Sequence, residues 1–200
     1  MAFGVDSIAN KVNTVALGTT AVASGIGALA FGAKAKATAL DTMAFGVNAL
    51  ASEGNATAIG RDAQATSSNA IAVGLFSQAS GNVAVAIGMN STALANESMA
   101  IGAYANASAN NGLALGTGAQ AIAINAMALG TNSYANTLDA FAAGLRARAT
   151  GENSMALGMS SNASNTNAFS AGSCANALGI NSLAYGTQSY ANASNSMATG

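Results

Sequence analysis

The sequence has no proline, histidine or tryptophan, a single cysteine, and charged residues at only 6% of its positions. Without histidine, the side chain that most often serves as a general base is missing. The seven acidic residues are scattered, so they form neither a carboxylate pair nor a set of cation ligands. Cys174 has no partner for an intrachain disulfide. These absences predict a protein that is not an enzyme and that holds no metal or cofactor.

The near absence of charge also limits the possible partners. The formal net charge is −1, so no basic surface is available for nucleic acid. Residues 98–138 carry no formal charge, but polar residues interrupt this stretch every few positions and leave no run of about 18 apolar residues. Direct membrane insertion by this segment is therefore excluded. Disordered chains combine low hydrophobicity with high net charge, whereas this chain has a hydrophobic fraction of 51% and a net charge near zero.

Glycine recurs at every 14th position from Gly4 to Gly200. Residues 1–200 therefore form a single uninterrupted array, with 14 repeats that end at Gly18, Gly32 and every 14th residue after them. We number the positions of each repeat from 1 to 14, ending on this glycine. The array has no atypical polar cap at either end, which predicts that it is an excerpt of a longer chain.

Each repeat contains two short stretches, positions 3–6 and 10–13, in which small and other residues alternate. An alternation with period two predicts two strands for each repeat. Between them lie Asn or Asp at position 9 in 11 of the 14 repeats, and several glycines, which we expect to adopt positive φ values in a turn. These glycines are Gly25, Gly27, Gly54, Gly81, Gly151 and Gly179. The pattern predicts an all-β, single-stranded parallel β-solenoid in which each repeat forms one coil.

Residue size predicts which side chains point into the coil. Positions 3, 5, 10 and 12 contain only small residues, and position 5 is alanine in every repeat. Side chains at alternate positions share one face of a strand, so these small residues line a narrow coil interior. The predicted interior alanines are Ala9, Ala23, Ala37, Ala51, Ala65, Ala79, Ala93, Ala107, Ala121, Ala135, Ala149, Ala163, Ala177 and Ala191.

Positions 11 and 13 contain the large apolar residues, which must then point outward. At about 4.8 Å for each coil, they form an apolar stripe of several hundred Å², more than a soluble monomer usually exposes. No other segment is available to cover this stripe, so we expect another copy of the chain to do so. The predicted interface residues are Val15, Leu17, Leu29, Phe31, Met43, Phe45, Ile59, Ile71, Val73, Val85, Ile87, Met99, Ile101, Leu113, Leu115, Met127, Leu129, Phe141, Met155, Leu157, Phe169, Leu183, Tyr185 and Met197.

A six-residue element that begins with asparagine and ends on the repeat glycine carries a family resemblance. It occurs at residues 153–158, 181–186 and 195–200, and in a close variant at residues 69–74. At these residues the sequence resembles the heads of trimeric autotransporter adhesins, the YadA-like family of Gram-negative surface proteins. The resemblance implies a left-handed parallel β-roll and a homotrimer, with two further copies of the chain as partners. It also implies an extracellular, outer-membrane-associated adhesin head that binds an unknown surface or matrix ligand.

Two interpretations remain open beside this one. The repeats also suit a structural subunit of an extracellular filament, or of a phage or viral tail fibre, in which trimers stack end to end and the location is a virion or a secreted filament. Separately, several cations share positions 1, 2 and 4, namely Lys34, Lys36, Arg61, Arg146 and Arg148. They either contact an anionic ligand or act as solvated surface charges, and the second interpretation is the simpler one.

Overall fold

The computed structural model describes all residues, 1–200, and consists of short strands and turns that divide into two compact units. The first unit, Met1–Ser98, has fourteen strands. They are β1 (Ala2–Phe3), β2 (Ile8–Ala9), β3 (Val15–Leu17), β4 (Val22–Ala23), β5 (Leu29–Phe31), β6 (Lys36–Ala37), β7 (Met43–Phe45), β8 (Leu50–Ala51), β9 (Thr57–Ile59), β10 (Gln64–Ala65), β11 (Ile71–Val73), β12 (Gln78–Ala79), β13 (Val85–Ile87) and β14 (Thr92–Ala93).

The second unit, Met99–Gly200, repeats the same plan with fifteen strands. They are β15 (Met99–Ile101), β16 (Asn106–Ala107), β17 (Leu113–Leu115), β18 (Gln120–Ala121), β19 (Met127–Leu129), β20 (Tyr134–Ala135), β21 (Phe141–Ala143), β22 (Arg148–Ala149), β23 (Met155–Leu157), β24 (Asn162–Ala163), β25 (Phe169–Ala171), β26 (Asn176–Ala177), β27 (Leu183–Tyr185), β28 (Tyr190–Ala191) and β29 (Met197–Thr199).

Within each unit, strands pair in parallel with their counterparts one repeat along the chain, so that identical repeat positions become neighbours. Ile71 of β11, for example, lies beside Thr57 of β9 and Val85 of β13. Within each unit the odd-numbered strands form one sheet and the even-numbered strands form another, without any shift in register. The predicted all-β parallel solenoid, with one coil for each repeat, is confirmed.

The space between the two sheets is filled by alanine and a few hydroxyl side chains. The position 5 alanines from Ala23 to Ala177 are fully inaccessible to solvent, Ala191 is 2% exposed, and Ala9 is half-buried. Buried serines satisfy their hydroxyl groups locally, as when Ser77 Oγ donates to the Gly74 carbonyl at 3.0 Å and Ser182 Oγ to the Gly179 carbonyl at 2.7 Å. Because a hydroxyl at position 3 or 10 is bonded to the carbonyl three residues earlier, serine can replace alanine at these two positions without leaving an unpaired polar group.

Two corner positions in every repeat, positions 2 and 9, have left-handed backbone conformations. Their φ values run from 51° at Asp41 to 61° at Lys34 among residues other than glycine. Asparagine at position 9 behaves as predicted, because its short polar side chain tolerates this region. Position 2 was not predicted to do so, since it holds residues such as Phe76 and Cys174, which rarely adopt it unaided.

The prediction for the glycines at positions 7–9 is largely wrong. Of the six, only Gly27 has a positive φ, at 72°, because it alone occupies position 9. The other five, Gly25, Gly54, Gly81, Gly151 and Gly179, lie at positions 7 and 8, which the turn keeps outside the left-handed region. Gly25, at position 7, instead allows close packing, because a Cβ there would collide with the backbone of Ala39 in the next coil, although other repeats accommodate a Cβ at this position.

The repeat glycine at position 14 is required for two reasons. Its φ value lies between 110° and 142° in every repeat from Gly4 to Gly186, a region that residues with a Cβ rarely enter. It also approaches the next coil closely, since a Cβ placed on Gly74 would lie 2.5 Å from the carbonyl oxygen of Gly88. No other residue type fits this corner without displacing the coil beside it.

Candidate association surface

In each unit, the outer face of the sheet of odd-numbered strands carries an apolar surface, which we call the apolar stripe and define by positions 11 and 13. The alanine at position 12 points inward, so its two neighbours on each strand point to solvent. In the isolated chain Leu17 is 46% exposed, Ile59 41% and Leu115 45%. Large aliphatic side chains are normally buried to a far greater extent.

The structure places every predicted interface residue at the surface of the chain, and none is buried within it. The exposed residues are Leu17, Met43, Ile59, Ile71, Ile87, Met99, Leu115, Met127, Met155, Tyr185 and Met197. The half-buried residues are Val15, Leu29, Phe31, Phe45, Val73, Val85, Ile101, Leu113, Leu129, Phe141, Leu157, Phe169 and Leu183.

Equivalent side chains on successive coils pack against one another along the stripe. The rings of Phe31 and Phe45, one coil apart at position 13, stack with centroids 4.7 Å apart and planes within 5°. This separation is the spacing between neighbouring strands of a sheet. The half-buried state of many stripe residues thus comes from contact along the chain, while the outward side of the stripe remains open.

Two further columns, not predicted from the sequence, border the stripe on its two sides and are apolar in part, since large apolar residues occupy each of them in six of the 14 repeats. Position 1 follows the repeat glycine and includes the exposed side chains of Leu145 and Met159. Position 8 lies in the turn before the stripe strand and includes Ile26, Leu40 and Ile124, which are each at least 50% exposed. The recurrence of large apolar residues at these two positions was the available signal. In the repeats that have them, the apolar surface is wider than the predicted stripe.

The opposite face, formed by the even-numbered strands, is mainly polar. Position 4 supplies its outward column, and there the Arg148 guanidinium lies over the Tyr134 ring, 5.2 Å from its centroid. Acidic and sulfur side chains do not gather in groups of three or more that could hold a metal ion. The structure also contains no helix with the length and apolarity needed to cross a bilayer. The candidate functional site is therefore the outer surface of the chain.

Identical coils in exact register, a glycine corner and one apolar outer face define a β-solenoid repeat protein. A comparison with models of protein families shows which family of solenoid repeats these are. The family model of the YadA head domain repeat matches residues 1–21, 9–35, 23–49, 37–63, 51–77, 65–91, 93–119, 121–147, 149–173 and 177–200. The chain belongs to the YadA head repeat family, as its sequence predicted.

The family is one of surface-exposed adhesin domains, generally without enzymatic activity, and proteins of the YadA family form trimers. A comparison with curated proteins gives no match.

Proposed function

We propose that this chain is the non-enzymatic head of a homotrimeric adhesin, displayed outside the cell with left-handed coils. The observation that supports this proposal is the uncovered apolar stripe, together with its two bordering columns. A stripe of this kind needs a partner with a matching surface, and a further copy of the chain supplies one with the same repeat in each unit. Membership of the YadA head family favours three copies and a location at the cell surface.

The energetic reason for association is the solvent exposure of the stripe. Complete burial of a Leu or Ile side chain contributes about 1.5–3 kcal/mol, so covering Ile59, which is 41% exposed, adds about 0.6–1.2 kcal/mol. Similar contributions come from each coil, and the repeated pattern lets them add along the array. The sum over many coils exceeds what a single exposed pair of side chains provides, which favours a stable assembly.

The two bordering columns suit a closed ring of copies. They lie on opposite sides of the stripe, one at position 1 and one at position 8. When identical chains are arranged around an axis with their stripes facing inward, the position 1 side of one chain meets the position 8 side of the next. Apolar residues such as Leu145 and Leu138 then add to the contact in the repeats that have them, beside polar residues at the same positions in other repeats. This arrangement leaves the polar, even-numbered sheets facing outward.

The outward faces support adhesion through many weak contacts. Each coil presents one outward residue at position 4, and the register places these residues in a regular column within each unit. Three chains would display three such columns. Linked weak sites gain strength because every contact after the first is effectively intramolecular. Repetition thus serves the proposed adhesive role without a deep pocket.

Two substitutions in the stripe test association. Ile71→Asp combined with Val73→Asp places two carboxylates in the apolar stripe, and we expect it to abolish the oligomer. Gln78→Asp combined with Gln120→Asp adds the same charge to the opposite face and should leave the oligomer intact. Light scattering should give three times the chain mass of 19.2 kDa for the unmutated chain and for this control. A folded, soluble monomer from the unmutated chain would refute the association.

Adhesion itself is tested with the same proteins. Binding to immobilised extracellular matrix and to cell surfaces should be retained by the unmutated chain and should fall about 100-fold or more in the stripe variant, because avidity is lost. Absence of binding by a confirmed trimer would contradict the adhesive role. Electron microscopy provides the further comparison, since uniform long filaments from the purified chain would favour the structural fibre instead.

A further inference from the structure

A groove of about 440 Å³ crosses the polar face of the first unit. Its size falls within the range of ligand-binding pockets, about 300–1,000 Å³. We call it the basic groove, and it is lined by Thr20, Lys34, Lys36, Asn48, Leu50 and Gln64. These residues come from four successive repeats, so the groove exists only because the coils stack in register.

Two columns of side chains build the basic groove. Thr20, Lys34 and Asn48 occupy position 2, the corner with left-handed φ values of 55°, 61° and 58°. The second column is position 4 of the even-numbered sheet, where the Cα atoms of Lys36 and Gln64 each pair with that of Leu50. The unusual backbone at position 2 therefore creates one wall, and the adjacent sheet creates the other.

The positive charge of the basic groove is not neutralised within the chain. Lys34 and Lys36 are both exposed, and neither takes part in an ion pair. At the same corner Asp62 is already engaged, because its carboxylate accepts bonds from Arg61 Nε at 3.1 Å and Asn48 Nδ2 at 2.9 Å. Two unpaired ammonium groups beside donor-bearing side chains are suited to a ligand that carries negative charge.

We propose that the basic groove binds an anionic oligosaccharide. The ammonium groups of Lys34 and Lys36 meet its sulfate or carboxylate groups, whereas Asn48 and Gln64 bond its hydroxyl groups. Leu50 lies between these polar groups and offers an apolar surface to the C–H groups of a sugar ring. The groove contains no aromatic side chain on which a base could stack, which favours a glycan over single-stranded nucleic acid.

This inference names a ligand class for the proposed adhesive role and rests on that role only for its biological use. The basic groove lies on the polar face, away from the apolar stripe, so binding to it does not require the proposed trimer. The same groove would recur on each chain of a trimer. Linked sites would then compensate for a low affinity at each one.

The test measures binding of the full chain to a short heparin oligosaccharide by titration calorimetry at low and at physiological ionic strength. A hyaluronan oligosaccharide provides carboxylates without sulfates, and short single-stranded DNA provides the competing polyanion. We expect saturable glycan binding that weakens with added salt, because exposed charge pairs are screened. Binding of either glycan supports the proposal, and the stronger of the two identifies the anionic group.

Three single substitutions that remove equal charge test the location of the site. Lys34→Gln and Lys36→Gln should each weaken glycan binding about 1.4- to 5-fold, the range for exposed ion pairs. Lys11→Gln, at position 7 on the other corner, should leave it unchanged. An equal effect of all three, tighter binding to DNA, or no saturable glycan binding would overturn the proposal. Light scattering on the same samples separates failure of the groove from failure of the trimer.

Discussion

Replacement of Gly74 by alanine is expected to destabilise the coil at a single, well-defined corner. The φ value of Gly74 is 134°, and the added Cβ would lie 2.5 Å from the carbonyl oxygen of Gly88 in the next coil. An ordinary contact begins at 3.4 Å, so the two backbones must separate by about 0.9 Å. The change therefore perturbs both the conformation of residue 74 and the packing of its neighbour.

The magnitude follows from two contributions. A residue with a Cβ in a sparsely populated φ region costs about 1–3 kcal/mol. The displacement also stretches the ladder between these two coils beside the corner, where Gly88 N donates to Val73 O at 2.8 Å and Asn90 N to Leu75 O at 2.9 Å. Lengthening these bonds by a large part of 0.9 Å removes most of their net value, about 0.5–1.5 kcal/mol each. We expect a total loss of about 2–6 kcal/mol.

Gly54→Ala is the matched control, because a Cβ at Gly54 meets nothing within 4 Å and its φ is not positive. This variant should be neutral or more stable by about 0.4–1 kcal/mol, since alanine restricts the unfolded chain. Urea denaturation followed by circular dichroism, at one fixed protein concentration, compares the two variants with the unmutated chain. Equal stability of Gly74→Ala and Gly54→Ala would refute the assignment of position 14 to close coil contact.

Two further substitutions test the coil interior and its asparagine corner. Ser170 is the one position 12 residue that is not alanine, and its buried Oγ has no hydrogen-bond partner, so Ser170→Ala should raise the free energy of unfolding by about 1 kcal/mol; a lower urea midpoint would contradict this. Asn181 has φ 53°, accepts a bond from Asn167 at 3.0 Å and donates one to Asn195 at 3.2 Å. Asn181→Ala should cost about 2–5 kcal/mol, and Asn181→Gly should cost less because glycine adopts the left-handed conformation without strain. Equal losses in the two variants, measured by thermal unfolding, would show that the left-handed backbone at residue 181 does not contribute to the effect.

The architecture could be predicted from sequence because its determinants are local and repeated. Alternation within each short stretch predicts the strands, and the small size of residues such as Ala72 predicts which side points inward. The fixed period of the repeat then determines which strands pair, as with Ile71 and Val85. Few proteins allow strand pairing to be inferred in this way, because pairing normally depends on contacts between segments that share no sequence pattern.

The corner at position 2 could not be predicted, because its conformation opposes the preferences of its residues. Thr20, Phe76 and Cys174 adopt left-handed φ values of 55° or 56°, although none of these residue types favours that region. Closure of the coil imposes the conformation, and the ladder bond from Phe76 N to Arg61 O at 3.0 Å helps to hold it. Local propensity is overridden by a constraint that acts between coils.

The basic groove could not be predicted from the sequence for a related reason. The sequence shows Lys34 and Lys36 as a pair, and solvated surface charge was the simpler interpretation. The contributions of Thr20, Asn48 and Gln64 appear only when residues one and two repeats apart are brought side by side by the stacked coils. The distribution of charge along the chain does not reveal such a surface, whereas an alignment of the repeats by position can reveal it.

The invariant register of the coils has a consequence for how such a protein changes length. Because within each unit every coil offers the next one the same ladder and the same glycine corner, a whole repeat can be duplicated or removed there without altering the cross-section. Each step changes the height of the solenoid by about 4.8 Å and leaves all lateral contacts in phase. The number of repeats therefore sets the length of the proposed binding face, independently of which side chains that face presents.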